Sequence, residues 1–105
     1  MGFHKKWFRK AVRHDDGFEV EFVRKLAPFA HQLRYTSGRR TMTLVGESGL
    51  YEKGRFGIAL NLESAKIIRW DDGSETSAEE REALRNRLDA ALDYMRIPHS
   101  IDRMR

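Results

Sequence analysis

The run Ser77-Ala78-Glu79-Glu80, followed by Leu84, Leu88, Ala91, Leu92 and Met95, constrains this chain more than any other feature. A serine three residues ahead of a glutamate is a capping box. The hydroxyl accepts from the glutamate's backbone N–H while the carboxylate reaches back to the serine N–H. The apolar residues recur at spacings of three and four, which places them on one stripe. Glu79, Glu80 and Glu82 suit the positive end of the helix dipole. The spacing predicts a helix over about 77–96, ending there because Ile97 precedes Pro98 and is pushed towards extended geometry. A helix with one apolar stripe needs another layer to cover it.

The residues upstream supply that layer. Phe18-Glu19-Val20-Glu21-Phe22 alternates apolar and acidic residues, as a half-buried strand does, and follows the turn Asp15-Asp16-Gly17. The stretch before that turn is a candidate hairpin partner. Gln32-Leu33-Arg34-Tyr35 and Thr41-Met42-Thr43-Leu44-Val45 read as a hairpin bent at Gly38. A glycine-punctuated loop is expected from Gly46 to Gly57, then strands at Ile58–Leu62 and Lys66–Trp70, and a short strand at Ile97–Ile101. The expected architecture is α+β: a mostly antiparallel sheet of about five or six strands, covered on one face by the C-terminal helix. Residues 1–105 form one domain, with a basic, aromatic segment at 1–16 that is peripheral to it or part of it.

Composition narrows the class. A chain of 105 residues that is 40% hydrophobic suits one core. Cys is absent, which excludes a disulfide framework, a thiolate nucleophile and cysteine metal sites. No apolar run approaches the roughly 20 residues that span a bilayer, and Met1-Gly2-Phe3-His4-Lys5-Lys6 leads into charge. The expectation is a soluble, cytoplasmic protein without a removable leader. The net charge of +4 is uneven: residues 1–53 hold 11 Lys/Arg against 6 Asp/Glu.

Catalytic signals are poor. His4, His14, His31 and His99 are scattered, without the spacing that converges metal ligands, so no metal or cofactor is expected. Gly46-Glu47-Ser48-Gly49 lacks the closing glycine of a serine elbow, because Leu50 stands there. The acids Glu47, Glu52, Asp71 and Asp72 read as loop and turn residues. The chain is read as a binding protein, not an enzyme. One binding candidate is the N-terminal block, where Lys5, Lys6, Arg9, Lys10 and Arg13 interleave with Phe3, Trp7 and Phe8. Such cations meet phosphates and such rings stack on bases, so nucleic acid is one candidate partner. A protein or membrane surface is another.

The portion from about Leu33 to Asp102 resembles the immunity protein 74 family of bacterial polymorphic toxin systems. The likeness rests on Tyr35-Thr36-Ser37-Gly38-Arg39-Arg40-Thr41-Met42-Thr43-Leu44 running into Gly46-Glu47, on Ile67-Ile68-Arg69-Trp70-Asp71, on Ser77-Ala78-Glu79-Glu80-Arg81, and on Leu84 to Met95 leading to a terminal strand. It implies a non-enzymatic protein that neutralises a cognate toxin by direct contact. Trp70 is then the expected partner anchor, since buried rings dominate interface energetics, and Glu47, Asp71 and Asp72 would add polar specificity. Residues 1–29 lie outside the resemblance, and the cationic balance argues against mimicry of nucleic acid. Whether the protein is a monomer or a homodimer is left open by the sequence.

Overall fold

The computed structural model describes residues 2–5, 10–50, 54, 56–62 and 68–102. Seven strands form one sheet: β1 (Phe3–Lys5), β2 (Lys10–His14), β3 (Phe18–Ala27), β4 (Ala30–Ser37), β5 (Arg40–Leu50), β6 (Phe56–Asn61) and β7 (His99–Asp102). Their order in the sheet is their order in sequence, and every pairing is antiparallel except β6 with β7. Helix α1 (Ala78–Tyr94), the one helix among the described residues, lies in the crossover that a parallel pair requires.

The expected α+β architecture is present, with more strands than anticipated. The N-terminal segment contributes β1 and β2, so it belongs to the sheet, and β2 pairs with β3 across the Asp15-Asp16-Gly17 turn. The expected loop from Gly46 is corrected, because β5 continues through Gly46 and Gly49 to Leu50. The expected strand at Lys66–Trp70 is corrected where it is described: Arg69 makes only an isolated bridge with Glu75. Lys66 and Ile67 lie outside the described residues.

Helix α1 starts where the capping box places it. Ser77 Oγ accepts from Glu80 N at 3.0 Å, and Ser77 N donates to Glu80 Oε1 at 2.9 Å. It ends in a Schellman motif, with Ile97 N donating to Leu92 O and Arg96 N to Asp93 O. Arg96 takes the left-handed conformation (φ 59°) where glycine is usual, so Pro98 is not the sole terminator. Leu84, Leu88, Ala91 and Leu92 are fully buried against Val12, Val20, Leu33, Tyr35, Met42 and Ile58 from the facing strands. Each such leucine contributes roughly 1.5–3 kcal/mol of transfer free energy.

The sheet curls around the helix. Phe3 on β1 stacks on Tyr94 with ring centres 5.1 Å apart, while His99 on β7 meets Asp89 of the same helix at 2.7 Å. Opposite edge strands thus flank the C-terminal half of α1. Two register shifts in β3, between Phe22 and Arg24 and between Lys25 and Ala27, bend that strand at the end the helix leaves open.

Gly46 permits the close fit between β5 and β6. A Cβ there would lie 2.6 Å from Ile58 Cδ1, 2.7 Å from Ile58 Cγ1 and 2.9 Å from Leu60 Cδ2, and both partners are buried. Gly49 has open space at the same point. Gly46→Ala is expected to destabilise the fold by about 1–3 kcal/mol through overpacking, whereas Gly49→Ala shifts it by about 0.5 kcal/mol at most. Urea denaturation of the two variants checks the contrast.

Candidate functional site

The turn after residue 68 draws three of the resemblance-bearing segments together. Thr43 N donates to Asp71 Oδ1 at 2.9 Å, Thr41 Oγ1 donates to Asp71 Oδ2 at 2.8 Å, and Asp71 N donates to Thr41 O at 2.9 Å. Asp71 therefore dresses the part of β5 that β6 does not reach, where backbone groups would otherwise stand unpaired. Asp72 is spent within its own turn, accepting from Ser74 N at 2.8 Å and Ser74 Oγ at 2.6 Å.

Trp70 belongs to the core. It is 6% exposed and lies 6.2 Å from the Tyr35 ring, with the Arg40 guanidinium 4.2 Å over its face. That burial leaves little of the ring for a partner to meet. Arg40 also bonds Glu80 Oε2 at 3.2 Å and Ser74 Oγ, and Arg87 donates to Tyr35 Oη at 2.8 Å and Ser37 Oγ at 3.2 Å. The indole Nε1 is buried outside hydrogen-bond geometry. The Glu80 carboxylate is held below its ordinary 4.5 by the Ser77 N–H; burial opposes this, and the Trp70 indole and Arg40 add to it.

Glu47 occupies a different surface. It is exposed on the sheet face away from α1, in register between Ala30 and Ala59 and two residues from Val45. Val45 is 58% exposed and Phe29, in the β3–β4 turn, is 72% exposed. Sequence reasoning missed Phe29 because an aromatic beside Pro28 carries no periodic signal; its exposure follows from its place in the turn between two paired strands.

On the helix side, α1 covers one end of the curled sheet and leaves a cleft of about 1030 Å³ at the other. Val12, Phe22, Phe56 and Ile97 provide apolar lining, and Lys5, Lys10, Arg24 and Lys25 provide cations. Of the N-terminal cations expected to act together, Lys5 and Lys10 line this cleft. Arg13 opposes Glu19 in the β2–β3 register and is not among the lining residues. Lys6 and Arg9 lie outside the described residues, as do Trp7 and Phe8.

His31 stands in the cleft, with its Nδ1 3.0 Å from Ser48 Oγ. Burial is the main cause that lowers its pKa, followed by the charges of Lys25 and Lys10. A Ser–His pair that activates a nucleophile uses a carboxylate to stabilise the imidazolium; the charges around His31 act in the opposite sense. His99 gathers with Asp89 and Asp93, each offering a ligand atom within 4.8 Å of the others. Its Nδ1 lies 2.8 Å from Ile97 O and its Nε2 2.7 Å from Asp89 Oδ1. The helix-to-strand turn creates this grouping, which no sequence spacing announced. As built, it latches α1 to β7.

No protein-family model matches the chain, and comparison with curated proteins and with solved structures found no match. No helix among the described residues is long and apolar enough to cross a membrane.

Asp71→Ala is expected to destabilise the protein by about 1–2 kcal/mol, since it leaves the Thr43 N–H and the Thr41 hydroxyl without their acceptor; thermal unfolding measures it. Because the Glu80 pKa is lowered on folding, the stability it contributes is present above 4.5 and lost as pH falls through the folded value below that. A Glu80→Gln variant should therefore lose less stability than the parent between pH 5 and about pH 3, as read by urea midpoints across that range.

Proposed function

We propose that this chain is a non-enzymatic binding protein of the immunity type, which neutralises a bacterial toxin in the cytoplasm by direct protein contact. One observation carries the reading. The stretches on which the resemblance rests are separated in sequence, yet Tyr35, Arg40, Thr41, Trp70, Asp71, Ser77 and Glu80 meet in one interlocked cluster. A shared pattern made of mutually contacting residues is what a common scaffold requires, because each member fixes the next. The residues of that cluster are thus a fold signature that holds the platform, and Glu47, at the far end of the motif, lies outside it.

The contact then falls to the exposed sheet face. Phe29 and Val45 are large apolar groups left in solvent near Glu47, and exposed apolar groups rimmed by charge mark interaction surfaces. Glu47 keeps the polar role expected of it, while Phe29 replaces Trp70 as anchor.

Affinity capture with the tagged full chain from its source cell, followed by mass spectrometry, tests this. A toxin encoded beside its own gene should be recovered, and a Phe29→Ala, Val45→Asp variant with unchanged circular dichroism should lose it. Recovery of the chain alone, with no toxin gene adjacent, overturns the reading.

A further inference from the structure

We propose that the cleft under the open end of the sheet is a binding site for a small anionic amphiphile, a ligand with an aliphatic body and a carboxylate or phosphate head. This inference does not depend on the toxin reading, since it concerns the opposite face of the sheet.

The shape comes first. The curled sheet and α1 together enclose a core at one end and a concavity of about 1030 Å³ at the other. The mouth of a curved β structure is a usual seat for a small ligand, and this volume lies at the top of the range such sites occupy. Its apolar lining comes from separate parts of the fold: Val12 on β2, Phe22 on β3, Phe56 on β6 and Ile97 after α1. Phe56 remains 41% exposed, a ring held in solvent at the rim of a cavity.

Charge then selects the head group. Lys5, Lys10, Arg24 and Lys25 border the same space, and no carboxylate is among its described lining residues. By contrast, Arg34 faces Glu21 and Arg85 faces Glu82. Like charges crowded at a cavity mouth repel one another, and an anion placed between them relieves that repulsion. The neutral bias of His31, which Lys25 and Lys10 reinforce, reports the same positive field.

Ring geometry separates an amphiphile from a nucleic-acid strand. Successive bases need ring faces open for stacking. Here Phe22 meets His31 at 73° and His31 meets Phe56 at 68°, both edge to face. The rings are locked against one another as a wall, which suits a flexible aliphatic body.

Isothermal titration of the full chain with sodium decanoate is the test, with decyltrimethylammonium and a twelve-residue oligothymidylate as comparators. Decanoate should bind one to one, and a Lys10→Glu, Lys25→Glu variant should weaken it at least tenfold. The cationic amphiphile should not bind. Binding should also raise the His31 pKa, followed by its ring proton resonances, because the added anion offsets the two lysines; a decanoate effect that leaves His31 unmoved places the ligand elsewhere and overturns the assignment. Absence of decanoate binding overturns it as well. So does oligothymidylate binding that decanoate cannot displace and the double variant abolishes, which would make the cleft a nucleic-acid site. Each variant is read only after its circular dichroism matches the parent, and Phe56→Ser, which removes a rim ring without touching charge, gives an independent arm expected to weaken decanoate severalfold.

Discussion

Among the described residues one helix has to cover a seven-stranded sheet, and that mismatch shapes everything else. Seventeen residues of α-helix reach about 25 Å, while seven strands laid side by side extend about 29 Å and the longer ones run more than 30 Å. The helix cannot tile such a face. Curling the sheet brings both edges to the helix and lets Leu84, Leu88, Ala91 and Leu92 serve strands from β2 to β6. The uncovered remainder becomes the cleft. Where α1 fails to reach, rings from the strands pack on each other instead, as Phe22, His31 and Phe56 do.

The same shortage explains the turn after residue 68. β6 pairs with β5 only from Glu47 onward, so the start of β5 has an open side. Asp71 fills it with a carboxylate that imitates a neighbouring strand, and Trp70 is drawn into the core beside it. Arg40 ties this turn to the helix start through Glu80 and lies over the indole face, which stabilises the arrangement by about 1 kcal/mol if such a contact behaves as partly exposed ones do. A sequence pattern dominated by Arg, Trp and Asp thus records how a sheet edge was finished.

Much of this was legible beforehand, and the exceptions have physical reasons. The helix start could be read at Ser77 because a capping box is local chemistry, and the strand at Phe18–Phe22 because alternation is local too. The helix end was read from Pro98, yet the Schellman bonds depend on Arg96 adopting a left-handed turn that its side chain does not advertise. Gly46 and Gly49 suggested a loop; Gly46 is instead flat strand pressed against Ile58, a close approach that no single-strand pattern reveals. At the candidate sites, residue type was a fair guide to chemistry and a poor guide to location. The contacts of Asp71 and Trp70 could not be read because their partners, Thr41, Thr43 and Tyr35, lie some thirty residues away in sequence. The cleft draws on strands β1, β2, β3, β4 and β6, so no window of sequence contains it.

The parallel pairing of β7 has a kinetic consequence. β2 to β5 are joined by short turns, so each hairpin closes a small loop and gains contacts early. Ile58 and His99 meet across about forty residues that include α1. Closure of that last rung carries the largest loop entropy in the sheet and yields its contacts only after the helix has docked. The meander is therefore the natural nucleus, and the final strand acts as a clasp whose amides should be the last to gain protection from exchange during refolding.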